Sequence, residues 1–572
     1  MPLCGSCADI KLDDLLTATV RPFKATWAEL TDSIAKCEFC ALFLAECKLD
    51  SQVHGSNESL YVAGSCNMVQ EKYGQYSIQN IINLHLYAGV PNALDTSDHS
   101  NSVRVGNVRD MKDRGLRQFG SLPVTCDRDA PSQTADRIHN RLVHPADDPA
   151  CVRQWLSTCL SDHSACATGF GRQYSDVPTR LLDIGNISAG IPPSFVETND
   201  TIVDYIALSH RWGGVNITRT TSGNLRKHKE AIPTDTLNNT FRDAIAVTAA
   251  LGFRYICIDS LCIIQDSRED WEREASRMAQ VYQNAILTIS AACETSGDTG
   301  LFQTRETPTM VNLPQYDAFN GSGSLAVYII SNQSFTSPIA LGSSRFRHLG
   351  PFDTEVSSGP LNTRAWTLQE RYLSRRIIHF GCKQLFWECQ TSTGEESSIR
   401  DPMPLDRFGA TEKDHTNGFL KCLSSQPLVE ETPGYGGSTH RSAPTYAIWY
   451  KLVSDYGGRD LTVDTDKLPA ISGITRVFAY YSQDEYLAGL WRRDIPTGLL
   501  WHASEWGKPL RRPRAYRAPS WSWASRDGPV LIEAEWRGQV EISDVVAFTQ
   551  TAGFDMYGEV KSGYLKLSGY LE

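Results

Sequence analysis

The sequence predicts an α/β fold built on a mostly parallel sheet, and three observations carry that prediction. Between Phe241 and Ala292 the chain reads helix, strand, helix, strand, the alternation of a parallel sheet with crossover helices. Tyr255 to Ile258 is a continuous apolar run, too short for a helix and suited to a strand buried on both faces. Tyr205 to Leu208 is a second such run, and it leads straight into the polar loop Ser209, His210, Arg211, Trp212, Gly213. In open α/β sheets, ligands sit beyond the carboxyl ends of the strands.

Each element has its own reason. Ala244, Ile245, Val247, Thr248 and Leu251 share one face of a helix that Gly252 closes. The strand at Tyr255 ends on Asp259 and Ser260, and a second helix runs from near Arg268 to about Asn284. At 100° per residue from Trp271, the residues Ala275, Met278, Ala279, Val281 and Tyr282 fall in one apolar arc. Glu274 falls inside that arc, between Val281 and Met278. A carboxylate on an apolar face is costly unless it is paired or used, so Glu274 is either a structural partner of an arginine or a catalytic group. Residues 285–290 form the next strand. Arg364 precedes a helix and is a loop cation, a candidate partner for Glu274; Arg376 to Phe380 and Gln384 to Cys389 read as an antiparallel pair turning at Gly381. Strands at 205–209, 255–259 and 285–290 should be neighbours, with Ser209, His210, Arg211, Trp212, Gly213, Asp259 and Arg364 around one crevice, a ligand-binding set, and Glu274 at its mouth.

Three regions follow: an N-terminal one over 1–168, the core over 205–371, and a C-terminal α+β region over 372–572. The first is rich in cysteine. Cys4, Cys7, Cys37 and Cys40 are two C-x-x-C pairs that resemble the halves of a zinc site, at wider separation than in a zinc ribbon. Cys159 and His163 share a helix face, and with Cys166 they make an alternative set needing one more ligand from elsewhere. Buried thiols acting as small apolar groups are the competing reading. A structural zinc, if bound, belongs in this region rather than in the core. The polar stretches 90–145 and 390–440 read as surface loops.

The 572 residues are 41% hydrophobic and 21% charged, ordinary for a globular protein. A net charge of −11, from 66 acidic and 55 basic residues, gives no pull toward nucleic acid or anionic membrane. There is neither a membrane-spanning run nor a signal peptide, so a cytoplasmic protein with reduced thiols is expected despite 16 cysteines.

Three blocks carry a resemblance. They run from Tyr205 to Gly213, from Phe241 to Ala292, and from Arg364 to Arg371, with side features at Pro178–Asp183, Gly300–Arg305 and Tyr516–Ser525. They resemble the fungal heterokaryon incompatibility (HET) family. The resemblance implies a cytoplasmic fungal protein of self/non-self recognition, or allorecognition, whose activation triggers programmed cell death. The HET domain in turn looks remotely like the TIR domain, a flavodoxin-like sheet with helices on both faces. Some TIR domains cleave NAD through a glutamate that follows a tryptophan on a helix. Here Trp271 stands shortly before Glu272 and Glu274, and the helical face selects Glu274. That makes NAD a candidate substrate, with no cofactor assigned beyond a structural zinc. The alternative is a non-enzymatic signalling module that self-associates or docks a protein partner, and a third is an interaction protein dominated by its metal-binding cysteines.

Overall fold

The computed structural model describes residues 4–44, 59–89, 103–104, 116–126, 140–141, 150–167, 177–304, 309–329, 352–404, 439–503 and 509–571, with short breaks inside several of these ranges. Gly213 and most of 90–145 and 390–440 lie outside the described residues. The contacts divide the chain into two compact units. One comprises residues 1–144, 305–348 and 396–401, the other 145–304, 349–395 and 402–572.

The first unit is built on an eight-stranded sheet. Its longest hairpin joins Ser59–Gln70 to Tyr76–Gly89, and Leu116–Cys126 pairs with the second of these strands. That last strand falls in the stretch expected to be loops. Its apolar residues at 116, 119, 122 and 124 are spaced closely enough for a strand, but the surrounding Asp, Ser and Asn mask them. Thr309–Asp317 and Gly321–Ile329 complete the sheet as a second hairpin.

The second unit holds the predicted core as a nine-stranded sheet. Its strands are β1 (Arg180–Asp183), β2 (Ser194–Glu197), β3 (Tyr205–Ser209), β4 (Tyr255–Cys257), β5 (Leu287–Ser290), β6 (Arg376–Phe380), β7 (Leu385–Cys389), β8 (Ser392–Glu395) and β9 (Met403–Pro404). Across the sheet the order is β9-β8-β7-β6-β5-β3-β4-β1-β2. The three strands expected to be neighbours are adjacent and parallel: Ile206 aligns with Ile256 on one side and Leu287 on the other. β6 adds a fourth parallel strand beside β5.

The sheet is nevertheless mixed rather than mostly parallel. Only three of its eight pairings are parallel, and five are antiparallel. The reason is connection length. A parallel neighbour needs a crossover, whereas the turn at Gly381 leaves no room for one, so β7 must return antiparallel. A Cβ at Gly381 would sit 2.6 Å from the Gln384 carbonyl oxygen, which is why the turn takes glycine.

Three helices frame the parallel strands. α1 (Ala150–Asp162) belongs to this unit, not to a separate N-terminal region. α2 (Asn239–Ala250) is capped by Asn238, whose side chain accepts from Phe241 N, and the chain leaves it through Gly252 at φ +83°. α3 (Arg268–Asn284) is capped by Ser267. Every residue of β3 is buried, and the Tyr205 hydroxyl donates to the Val281 carbonyl at 2.6 Å, tying α3 to the central strand. Trp271, expected to anchor α3 on the sheet, is instead 36% exposed and packs edge-on against Trp366, with centroids 6.5 Å apart.

Farther along, α4 (Thr367–Leu373), α5 (Pro444–Gly457) and α6 (Ser472–Ser482) share a second core, in which Trp449, Phe478 and Trp491 meet at centroid distances of 4.7 to 5.3 Å. The chain ends in a long hairpin, Val540–Thr551 with Val560–Leu571. Among the described residues, no helix is long and apolar enough to cross a membrane.

The expectation of reduced thiols fails at one place. Cys293 and Cys382 are joined as a disulfide, with Cα atoms 5.4 Å apart. Ser290 aligns with His379 across β5 and β6, and each cysteine lies three residues beyond its member of that pair, so the register brings them together.

Candidate functional site

The carboxyl ends of β3 and β4 bring most of the predicted crevice residues together. β3 ends at Ser209, whose hydroxyl donates to Glu370 Oε2 at 2.5 Å. The chain then passes through His210, Arg211 and Trp212. β4 leads to Asp259, the first residue of a short helix. Trp212 Nε1 donates to Asp259 Oδ2 at 2.9 Å, and Asp259 Oδ1 lies 3.7 Å from His210 Nδ1. Arg364 donates to the His210 carbonyl at 2.7 Å. Glu294, just past β5, accepts from the Arg211 amide at 2.9 Å. Trp212 is 38% exposed, so it forms the open rim of this cluster. His210 is fully buried, its ring edge-on to Phe241, and neither ring nitrogen has a hydrogen-bond partner. Burial pushes its pKa below the usual histidine range, which keeps the ring neutral.

Behind the rim lies a polar layer that the sequence reading did not anticipate. Ser209, Ser290 and His379 are register partners across β3, β5 and β6 and so face the same side of the sheet. His379 Nδ1 is 3.0 Å from Ser290 Oγ, and Nε2 is 2.6 Å from Glu388 Oε2. Arg371 grips Glu388 with two nitrogens, at 2.7 and 3.0 Å. Burial raises Glu388, but Arg371 and His379 outweigh it and hold it down to about 2. A cavity lined by Ser209, Ser290, Glu370, Arg371 and His379 sits within this layer, with room for about one water molecule. Read alone, β3 shows one polar residue at the end of an apolar run, β5 holds Ser290 along with Thr288, and β6 holds His379 along with Arg376. Only the register reveals that they form a row.

Glu274 is placed differently. It is buried, as its helical position predicted, but its partners are the Thr179 hydroxyl and, at 3.5 Å, Arg273 Nε. The expected pairing with Arg364 is not formed. Thr179 precedes β1, which lies on the side of β4 away from β3, whereas Arg364 reaches the end of β3. Asp270, one turn earlier on α3, is also buried and pairs with Arg180. Glu274→Gln should therefore lower stability by about 1–3 kcal/mol, since the charge that Arg273 and Thr179 satisfy is gone. Urea unfolding checks this; a midpoint equal to wild type would remove the structural role.

Comparison with known families bears on this region. Residues 205–370 match the family model described as Heterokaryon incompatibility protein (HET), from the first residue of β3 to Glu370 itself. The chain carries a HET domain. No curated protein and no solved structure gives a significant match. The HET match thus spans the crevice: Ser209 near its start bonds Glu370 at its end.

Two further clusters could hold a metal such as zinc. In the first unit, Cys4, Cys7, Cys37 and Cys40 place their four sulfurs within 4.8 Å of one another, three of the pairs at 3.4 to 3.6 Å. Thiolates about 2.3 Å from a tetrahedral zinc lie about 3.8 Å apart, close to this spacing and far from a disulfide. Lys24 Nζ donates to Cys4 Sγ at 3.3 Å, a cation beside the ligand set. In the second unit, the missing ligand of the other set is Cys389, at the end of β7. Cys159, His163, Cys166 and Cys389 also lie within 4.8 Å of one another. This corrects the expectation that a metal site would stay apart from the HET core, because β7 belongs to the sheet that holds the HET strands. Arg376 supports the cluster, donating to Cys159 Sγ at 3.1 Å and to the Cys166 carbonyl at 3.1 Å, and the Ser392 amide donates to Cys389 Sγ at 3.2 Å.

Proposed function

We propose that the HET domain is the effector of a heterokaryon incompatibility response leading to cell death, and that it acts by cleaving NAD at the carboxyl end of its sheet. One observation carries this reading. The four parallel strands run β4-β3-β5-β6, which in chain order is 2-1-3-4, the order of flavodoxin-like sheets. In such sheets a ligand binds where the order reverses, here between β3 and β5. Ser209, Asp259, Trp212, Arg364 and Glu370 cluster at that end. The chemistry suits them. Breaking the ribose–nicotinamide bond builds positive charge on the sugar, which a nearby carboxylate stabilises, and nicotinamide leaves neutral. The exposed ring of Trp212 offers a stacking surface and Arg364 a cation for a phosphate. Glu274, the carboxylate that the TIR resemblance singles out, bonds Thr179 and Arg273 instead and has no role in this reading. Both cysteine clusters take zinc in this reading, as structural sites.

The test is to incubate the full chain with NAD at dilute and concentrated protein and measure nicotinamide by chromatography. Nicotinamide formed in proportion to protein, and lost with Asp259→Asn, supports the reading. Its absence at every concentration overturns it. A second reading has its own observation: the cavity beside Ser209 has room for about one water, so no dinucleotide fits it as it stands. In that case the HET domain is an interaction module that self-associates or docks a protein partner, and light scattering across the same concentrations would show assembly without turnover.

A further inference from the structure

We propose that Glu370, rather than Glu274, is the general base of the HET site, activating a water held in the cavity between Ser209, Ser290 and His379. The proposal rests on the NAD-cleavage reading above and names the residue and the nucleophile.

Geometry separates the two carboxylates. Glu274 is spoken for by Thr179 and Arg273, beyond β4. Glu370 lies at the end of β3, beside the β3/β5 reversal, and its close partner is the Ser209 hydroxyl. The cation next to it in sequence, Arg371, is engaged by Glu388. The wall of the cavity that Glu370 lines includes Ser209, Thr288, Ser290 and the His379 imidazole beside the apolar Leu361 and Ile377, and a buried water takes two to four polar partners of the first kind. In the step proposed, the water oxygen bonds to the ribose carbon that carries nicotinamide. The carbon–nitrogen bond breaks, and its electron pair neutralises the pyridinium nitrogen. The proton lost by the water passes to Glu370 and then to solvent. The products are ADP-ribose, nicotinamide and one proton, so atoms and charge balance.

The surroundings of Glu370 favour this role. Burial first, and then the negative Asp259, raise its pKa, while the Ser209 bond, Arg364 and the Tyr282 hydroxyl pull it down; it settles at about 7. His379 and Arg371 also face it across the cavity. A carboxylate poised near neutral pH accepts a proton in the reaction and releases it afterwards.

Three measurements test the proposal on the full chain. The wild-type rate should fall as pH drops below about 7, because the base becomes protonated. Glu370→Gln should lower kcat by at least about 100-fold with KM changed by less than about threefold, and Glu274→Gln should not. Infrared pH titration should show carboxylic acid absorption that disappears through neutral pH, with Glu370→Gln lacking the Glu370 component and keeping only that of Glu395, which burial also raises to about 7. If wild type releases no nicotinamide, the NAD reading fails, yet the Glu370 component still decides whether Glu370 carries a proton near neutrality. Should Glu370→Gln not fold, Ser209→Ala serves instead: losing its hydrogen bond should move that component's midpoint to higher pH. A Glu370→Gln variant of full activity, or wild type without the Glu370 component, overturns the proposal.

Discussion

Two equivalents of zinc per chain should be found by elemental analysis, and Cys389→Ser should remove one of them. Cys159 on α1, His163 just after it, Cys166 on the short helix that follows and Cys389 on β7 bring four ligand atoms within 4.8 Å of one another, the grouping a tetrahedral zinc needs. A structural zinc contributes on the order of 10 kcal/mol to the fold that holds it. Its loss here unfastens α1 from β7, where Trp155 packs on Trp387 at 6.2 Å and Arg376 spans the gap to Cys159. The melting temperature should fall by more than about 10 °C, even if only part of the binding energy is lost. Cys40→Ser should remove the other equivalent. Cys151→Ser is the control: Cys151 is a buried apolar-core residue on the same helix as Cys159, outside the cluster, and should leave both ions in place. Finding no zinc, or finding Cys389→Ser indistinguishable from wild type in metal content and melting, would refute the metal assignment.

The second large effect is expected at Arg371. Arg371→Met should destabilise the protein by about 3–5 kcal/mol, because it leaves Glu388 as a buried carboxylate without its bidentate partner. His379 still bonds Glu388, but burial holds that imidazole below its usual pKa, so it does not replace a fixed positive charge. Combining Arg371→Met with Glu388→Leu should recover most of the loss, since removing both members of a buried pair costs far less than removing one. Denaturant unfolding of the two singles and the double closes the cycle. A single variant within about 1 kcal/mol of wild type would mean that the pair is not desolvated as described.

Local patterns in the chain were enough to locate the strands and helices of the HET region. Tyr205 to Ser209, Tyr255 to Cys257 and Leu287 to Ser290 are short apolar runs, and the helices between them have caps and periodic faces, all of which are properties of neighbouring residues. The burial of Glu274 was legible for the same reason, as a position on a helix face. Its partner was not. Thr179 and Arg364 stand almost equally far from Glu274 along the chain, on opposite sides of it, so separation does not choose between them, and only the strand order, with β1 outside β4, decides which of them Glu274 meets.

The same limit explains the zinc set and the polar layer. Cys159, His163 and Cys166 announce themselves by spacing, but Cys389 stands over 200 residues away in an apolar strand and looks like core. Ser209, Ser290 and His379 become one feature only when three parallel strands align them, and Glu370 joins because α4 covers their ends. Periodicity reports which side of its own element a residue faces. It carries no information about which element stands opposite, because that depends on crossovers and registers summed over the whole chain.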